Sequence, residues 1–148
     1  MYNIERLGKA GESIISNYFS SRGMKVEISV NQFDSQKDMI VEGKVVEVKT
    51  QVPFVTKDSF TFKPNQLKKC VNADEVYFIS VPTVKQHFSE GKVYVIKGSE
   101  IQYKKHKTKD GREMILIPIN QDAMKEVFEV SEQDKKLLVQ YSSSNWKS

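Results

Sequence analysis

The sequence predicts an α/β fold, a mixed central β-sheet flanked by helices. Three observations predict it. Apolar residues recur at helical spacing between Ile4 and Phe19, and short strand-like runs follow over residues 24–48. A proline-led helix then separates these runs from a continuous apolar stretch at 76–81.

In the first helix Ile4, Leu7, Gly11, Ile14, Ile15, Tyr18 and Phe19 fall on one stripe, with Glu12 at its border beside Phe19. Gly23, after Ser21-Arg22, suits a left-handed cap. Residues 24–30 alternate through Val26, Ile28 and Val30 as a half-buried strand, and 31–37 are polar and turn-like. Met39-Ile40-Val41 and Val45-Val46-Glu47-Val48 flank Glu42-Gly43-Lys44 as a hairpin. Residues 51–61, with Pro53, are expected as a loop or edge excursion. Pro64 opens a helix whose buried stripe is Leu67, Cys70 and Val71. Residues 76–81 form a central strand that Pro82 stops.

Strands are expected over 92–97 and 100–103, then a turn at Lys109-Asp110-Gly111 leading into a strand at 114–119. A short helix at 121–129, capped by Asn120, and a last helix from Ser131 to near Tyr141 complete the chain. One domain is expected over residues 1–141. Its core is 4–82, and 83–141 add a C-terminal β-hairpin and helices. Residues 142–148 are expected as a frayed, flexible tail with Trp146 its one bulky residue.

A chain of 148 residues, 39% hydrophobic and 28% charged, has the make-up of a globular domain with its own core. No apolar stretch reaches the length of a membrane span, and the first residues lack the order of a signal peptide, so no membrane partner is expected. The single Cys70 has no intrachain partner, which points to a reducing, cytoplasmic compartment. The net charge of +4 mildly favours a polyanionic partner and alone decides little.

The pattern with chemical content is Glu47-Val48-Lys49. On a strand Glu47 and Lys49 share a face, while Val46 and Val48 take the other. Asp38 stands at the head of the neighbouring strand, and Glu12 borders the helix stripe. Two or three carboxylates and a lysine suit metal-assisted hydrolysis of a phosphodiester. Mg²⁺ takes hard oxygen donors and keeps several waters, and it lowers the pKa of a bound water. A lysine beside it can hold the nucleophile or offset developing charge. The plain alternative is that Glu-x-Lys decorates the solvent face of a strand. Asp34, in the polar stretch, is a rival to Asp38. Gln51 continues the alternation after Lys49 and either faces the same site or is an ordinary edge residue.

The order of these elements resembles the PD-(D/E)XK, or restriction-endonuclease-like, nuclease superfamily over about residues 4–82. That order is a helix bearing Glu12, a strand, a strand opened by Asp38, a strand with Glu47-x-Lys49, a helix and a strand. Gly8-Lys9-Ala10-Gly11-Glu12 is similar to the Gly-x-x-x-Glu opening of the archaeal-type Holliday-junction resolvase and RecB-like branches. Gln66 is similar to their additional glutamine motif, the alternative being an exposed helix residue. The proline of Pro-Asp is absent here, since Lys37 precedes Asp38.

The resemblance implies that Asp38 and Glu47 bind Mg²⁺ (or Mn²⁺ in its place). The Val48 carbonyl is a further implied ligand, and Glu12 a ligand through water. Lys49 positions or deprotonates the attacking water, with Gln51 and Gln66 in support. The implied activity is a Mg²⁺-dependent DNA endonuclease giving 5′-phosphate products, structure-selective in the manner of Holliday-junction resolvases. The implied assembly is a homodimer, because two symmetric cuts need two sites. A phage- or restriction-type endonuclease is the nearest alternative. A non-catalytic DNA-binding or interaction module on a nuclease fold is the alternative from another class.

Lys104-Lys105-His106-Lys107, with Lys109 and Arg112, is the strongest basic cluster, expected to grip a DNA backbone from a hairpin. The alternative is a solvated tip whose lysines discourage edge pairing. Lys9 is a further phosphate contact or a solvated helix lysine. Tyr103 and its neighbouring aromatics read as core. His87 and His106 lack Cys or His partners at zinc spacing, and Cys70 reads as core rather than nucleophile. There is no phosphate-binding loop and no Gly-x-Ser-x-Gly.

Overall fold

The N-terminal apolar stripe builds helix α1 (Ile4–Ser21), which buries Leu7, Ile15 and Phe19. Gly23 ends it at φ 77°, where only glycine is unstrained, with Met24 N donating to Phe19 O and Gly23 N to Ser20 O. In this computed structural model the described residues are 4–30, 37–53, 58–82 and 91–143, with side chains over 5–28, 39–53, 58–82 and 91–142. Residues 31–36 with Asp34, residues 144–148 of the expected tail, and His87 therefore lie outside the described residues, whereas residues 142 and 143, expected in the tail, are helical.

Strands β1 (Val26–Val30), β2 (Lys37–Val41) and β3 (Lys44–Gln51) run antiparallel in succession. The turn between β2 and β3 is two residues, Glu42 and Gly43 at φ 50° and 81°, as the twist of a tight hairpin requires. Helix α2 (Pro64–Asn72) crosses over to β5 (Glu75–Ser80), which pairs parallel to β3. Then come β6 (Lys92–Lys97), a 3-10 turn at Gly98–Glu100, β7 (Lys104–Lys107) and β8 (Glu113–Pro118). Strand β9 (Lys125–Glu129) and helix α3 (Glu132–Ser143) close the described chain.

The fold is α/β, with a mixed six-stranded sheet ordered β1-β2-β3-β5-β6-β9. A second, three-stranded sheet is ordered β4-β8-β7, its first strand being β4 (Ser59–Phe62). Strand alternation sends Tyr77 and Ile79 of β5 into one core with Leu7, Phe19 and Leu138 of α1 and α3. It sends Val76 and Phe78 into another core with Phe60, Phe62, Cys70 and Ile115. The large sheet thus has helices on one face, and α2 with the small sheet on the other. Among the described residues, no helix is long and apolar enough to cross a membrane.

Four expectations are corrected. The helix expected at 121–129 is strand β9. Met124, Val127 and Phe128 mimic a helical stripe because β9 is bulged opposite Val93 and Tyr94, which lets the consecutive Val127 and Phe128 both pack toward the helical layer. The strand expected at 100–103 is a 3-10 turn and an extended link, anchored by buried Ile101 and by Gln121, whose amide bonds Gln102 and Pro118. The excursion expected at 51–61 ends in β4, because Ser59 and Phe60 bury against β8 and β5 rather than facing solvent. Tyr103, read as core, is 45% exposed.

Candidate active site

Strand β3 places Val46 and Val48 toward α1 and the helical core. Glu47, Lys49 and Gln51 accordingly face α2 and the small sheet. Lys49 Nζ lies 3.1 Å from Glu47 Oε1, the two side chains being 18% and 13% exposed. Lys69 of α2 comes within 3.8 Å of Glu47 Oε2. Lys49 also stands 5.9 Å above the Phe62 ring, where the π face favours a cation. Glu47 thus bridges two ammonium groups, Lys49 and Lys69, within a half-buried recess.

The sheet forks beside these residues. The β2–β3 ladder ends at Met39 opposite Val46, while β2 stays paired with β1 through Asp38 opposite Ser29 and Lys37 opposite Val30. Val45 exchanges backbone and side-chain bonds with Asp74, and Gln51 O accepts from Val81 N, so the odd-numbered backbone groups of β3 turn toward β5. Those of Val46 and Val48 therefore turn toward β2, and past Val46 the ladder with β2 has stopped. The Val48 carbonyl thus opens into the fork. Position 38 alternates in phase with Ile40, whose partner is Val45, and so with Glu47; the Asp38 side chain lies outside the described residues.

Glu12 is exposed on α1, over the opposite face of the sheet from Glu47 and Lys49. Its neighbour Gly11 meets the end of β3 so closely that a Cβ there would fall on Thr50 Oγ1. Gln51 bonds the β4 backbone twice, Nε2 donating to Thr61 O and Thr61 N donating to Oε1, both at 2.6 Å. It thereby docks the small sheet beside the site. Gln66 is exposed, and its Oε1 accepts from Lys63 N at 3.2 Å, closing the N-terminus of α2. Lys9 pairs with Glu5 at 3.4 Å on the exposed face of α1.

Lys69 was not singled out by the sequence. No local signal marks it, since at about 100° per residue it stands off the Leu67, Cys70 and Val71 stripe and only the docking of α2 brings it to Glu47. Cys70 itself is fully buried, and desolvation pushes its thiol up to about 11, so it is no nucleophile at neutral pH. Among the described residues no three His, Cys, Asp or Glu side chains gather as a metal cluster. The donors on and beside this face of β3 are hard oxygens, the Glu47 carboxylate and the Val48 carbonyl. That set fits a Mg²⁺ ion that retains waters and takes substrate oxygens.

Comparison with known proteins finds no family model, no curated protein and no solved structure that matches the chain.

Proposed function

We propose that the chain is a Mg²⁺-dependent DNA endonuclease of the PD-(D/E)XK type. The observation that supports this most is Glu47 and Lys49 held 3.1 Å apart on one face of β3, beside the fork between β2 and β3. The element order α1, β1, β2, β3, α2, β5, with β3 and β5 parallel, supports it further, and only β4 interrupts that order. In this reading Asp38, Glu47 and the Val48 carbonyl would hold the ion, which when bound would lower the pKa of a water and offset charge on the phosphoryl oxygens. Lys49, an ammonium in its pairing with Glu47, would orient the attacking water and offset charge on the phosphoryl oxygens, and Lys69 would add positive charge beside it. Burial of both β3 side chains below one-fifth exposure strengthens these interactions relative to bulk water.

Within this class a structure-selective enzyme acting as a homodimer on branched DNA is the form we favour, with Mn²⁺ able to replace Mg²⁺. The test is incubation with four-way-junction, flap, linear duplex and single-stranded DNA, in Mg²⁺ or in EDTA. Metal-dependent, symmetric cuts confined to the junction are expected. Glu47→Gln and Asp38→Asn should each lower the cleavage rate by about 10²–10³-fold with the far-UV spectrum unchanged. Full cleavage by either variant sinks the assignment. Indiscriminate cutting moves it to a general, phage- or restriction-type nuclease, and no cutting of any substrate leaves Glu47, Lys49 and Lys69 as a structural ion-pair cluster on a binding module.

A further inference from the structure

We infer that the edge strand β7 is a nucleic-acid backbone grip, separate from the β3 site and independent of the metal. It rests on the proposed function only for the choice of DNA as the polymer. Residues 104–113 carry five cations and two acids, so these ten positions hold three of the chain's net +4. The structure places Lys104–Lys107 on the first strand of a hairpin and Lys109 and Arg112 in the turn that joins it to β8. Lys104, Lys105, His106 and Lys107 are all exposed, and β7 is the outer strand of the small sheet.

Lys105 and Lys107 alternate with Lys104 and His106, so positive groups stand on both faces of one strand edge. Asp110 pairs with Arg112 at 2.9 Å, and its carboxyl is held below the usual range first by the Thr108 hydroxyl and then by Arg112. The one substantial acid of the turn is thus engaged within it. Among the described residues no acid pairs with Lys104, Lys105, Lys107 or Lys109. Glu113 is the register partner of Lys107 without forming an ion pair.

An edge lysine that only discourages strand pairing acts singly, pointing into the would-be partner. A contiguous row on both faces, with no described strand pairing the outward N–H groups, suits a string of phosphates instead. Exposed Tyr103 adjoins the row and adds a flat surface beside it. Strand β4, whose Phe62 lies under Lys49, is two ladder steps from β7, roughly 10 Å at about 4.8 Å per step. A duplex lying on β7 therefore runs within its own width of the β3 site.

The test reads binding of fluorescein-labelled duplex DNA by anisotropy in EDTA, over a series of salt concentrations, so that no cleavage contributes. Lys104→Gln/Lys105→Gln/Lys107→Gln should weaken binding and reduce the slope of log K against log salt by about 2.7, at about 0.9 for each lost phosphate contact. The control Lys44→Gln/Lys125→Gln/Lys136→Gln removes the same charge from other exposed positions. It should leave the slope within 1 of the unchanged protein. Equal loss in both triple variants assigns the effect to net charge and overturns the grip, and so does an unchanged slope in the first. Preferential binding of polyglutamate over duplex DNA overturns it as well. Duplex binding through β7 without any cleavage in Mg²⁺ overturns the nuclease reading alone, whereas cleavage with an unaltered slope in the β7 variant overturns the grip alone.

Discussion

Thr50 shows how tightly α1 is set against β3. Its Oγ1 is buried with no hydrogen-bond partner among the described residues, and Gly11 is the residue that leaves room for it. Thr50→Val, which exchanges the unpaired hydroxyl for a methyl of similar size, should raise stability by about 1 kcal/mol in urea unfolding. Gly11→Ala should instead cost about 1–3 kcal/mol, because α1 must lift from β3. Cys70 offers a pH test. Burial raises its thiol from 9.0 to about 11, so the folded state holds a proton that the unfolded chain gives up first. Stability is therefore fully present below about 9 and falls as the pH rises from there to about 11. Tyr77, also raised by burial, deepens the loss at higher pH. Denaturation midpoints measured over that interval check the sign, and Cys70→Ala should flatten the part that begins near 9. Glu47 and Lys49 were legible as a same-face pair from two-residue alternation alone. Lys69 was not, since only the docking of α2 carries it to the same carboxylate.

At the scale of elements, local signals decided the boundaries they could reach. Ser131 caps α3 through Asp134 N donating to its hydroxyl at 3.2 Å, and Pro64 stands in the first turn of α2. Ser131→Ala should lower stability by about 1 kcal/mol in the same urea assay, with little change in helix content at 25 °C. Strand β9 shows where such signals fail. Apolar positions at 124, 127 and 128 satisfy a helical period, but β6 has an edge to cover and a bulge reconciles the pattern with a strand. Strand β4 was hidden for a related reason. Its four residues are too short for alternation to be read, and its ladder partner β8 is remote in sequence. The basic row before the expected turn at 109–111 is a strand because β8 supplies its ladder, with Lys104 opposite Leu116 and Lys107 opposite Glu113.

Across the whole molecule, β5 is shared by both cores, with Phe78 stacked 4.7 Å from Phe60 on one face and Tyr77 edge-on to Phe19 at 5.2 Å on the other. The helical layer and the small sheet therefore lose support together. Phe78→Ala should cost about 3–5 kcal/mol. Far-UV circular dichroism and tyrosine fluorescence should still report one coincident transition; separate midpoints would show that the two layers unfold independently. What the sequence by itself determined was the set of local choices. These were the amphipathic α1, a hairpin about Glu42-Gly43-Lys44, the proline-led α2, the buried β5, and a carboxylate and an ammonium on one side of β3. Each follows from a period, a cap or a glycine within a few residues. Only the tertiary structure decided that the sheet forks where Val48 turns its carbonyl outward and that Lys69 joins Glu47. It likewise set β9 on the exposed edge of β6 and the lysines of β7 on a free edge. Those outcomes depend on contacts between distant segments, where the burial of apolar surface and the pairing of backbone edges outweigh the weak preferences of any short stretch.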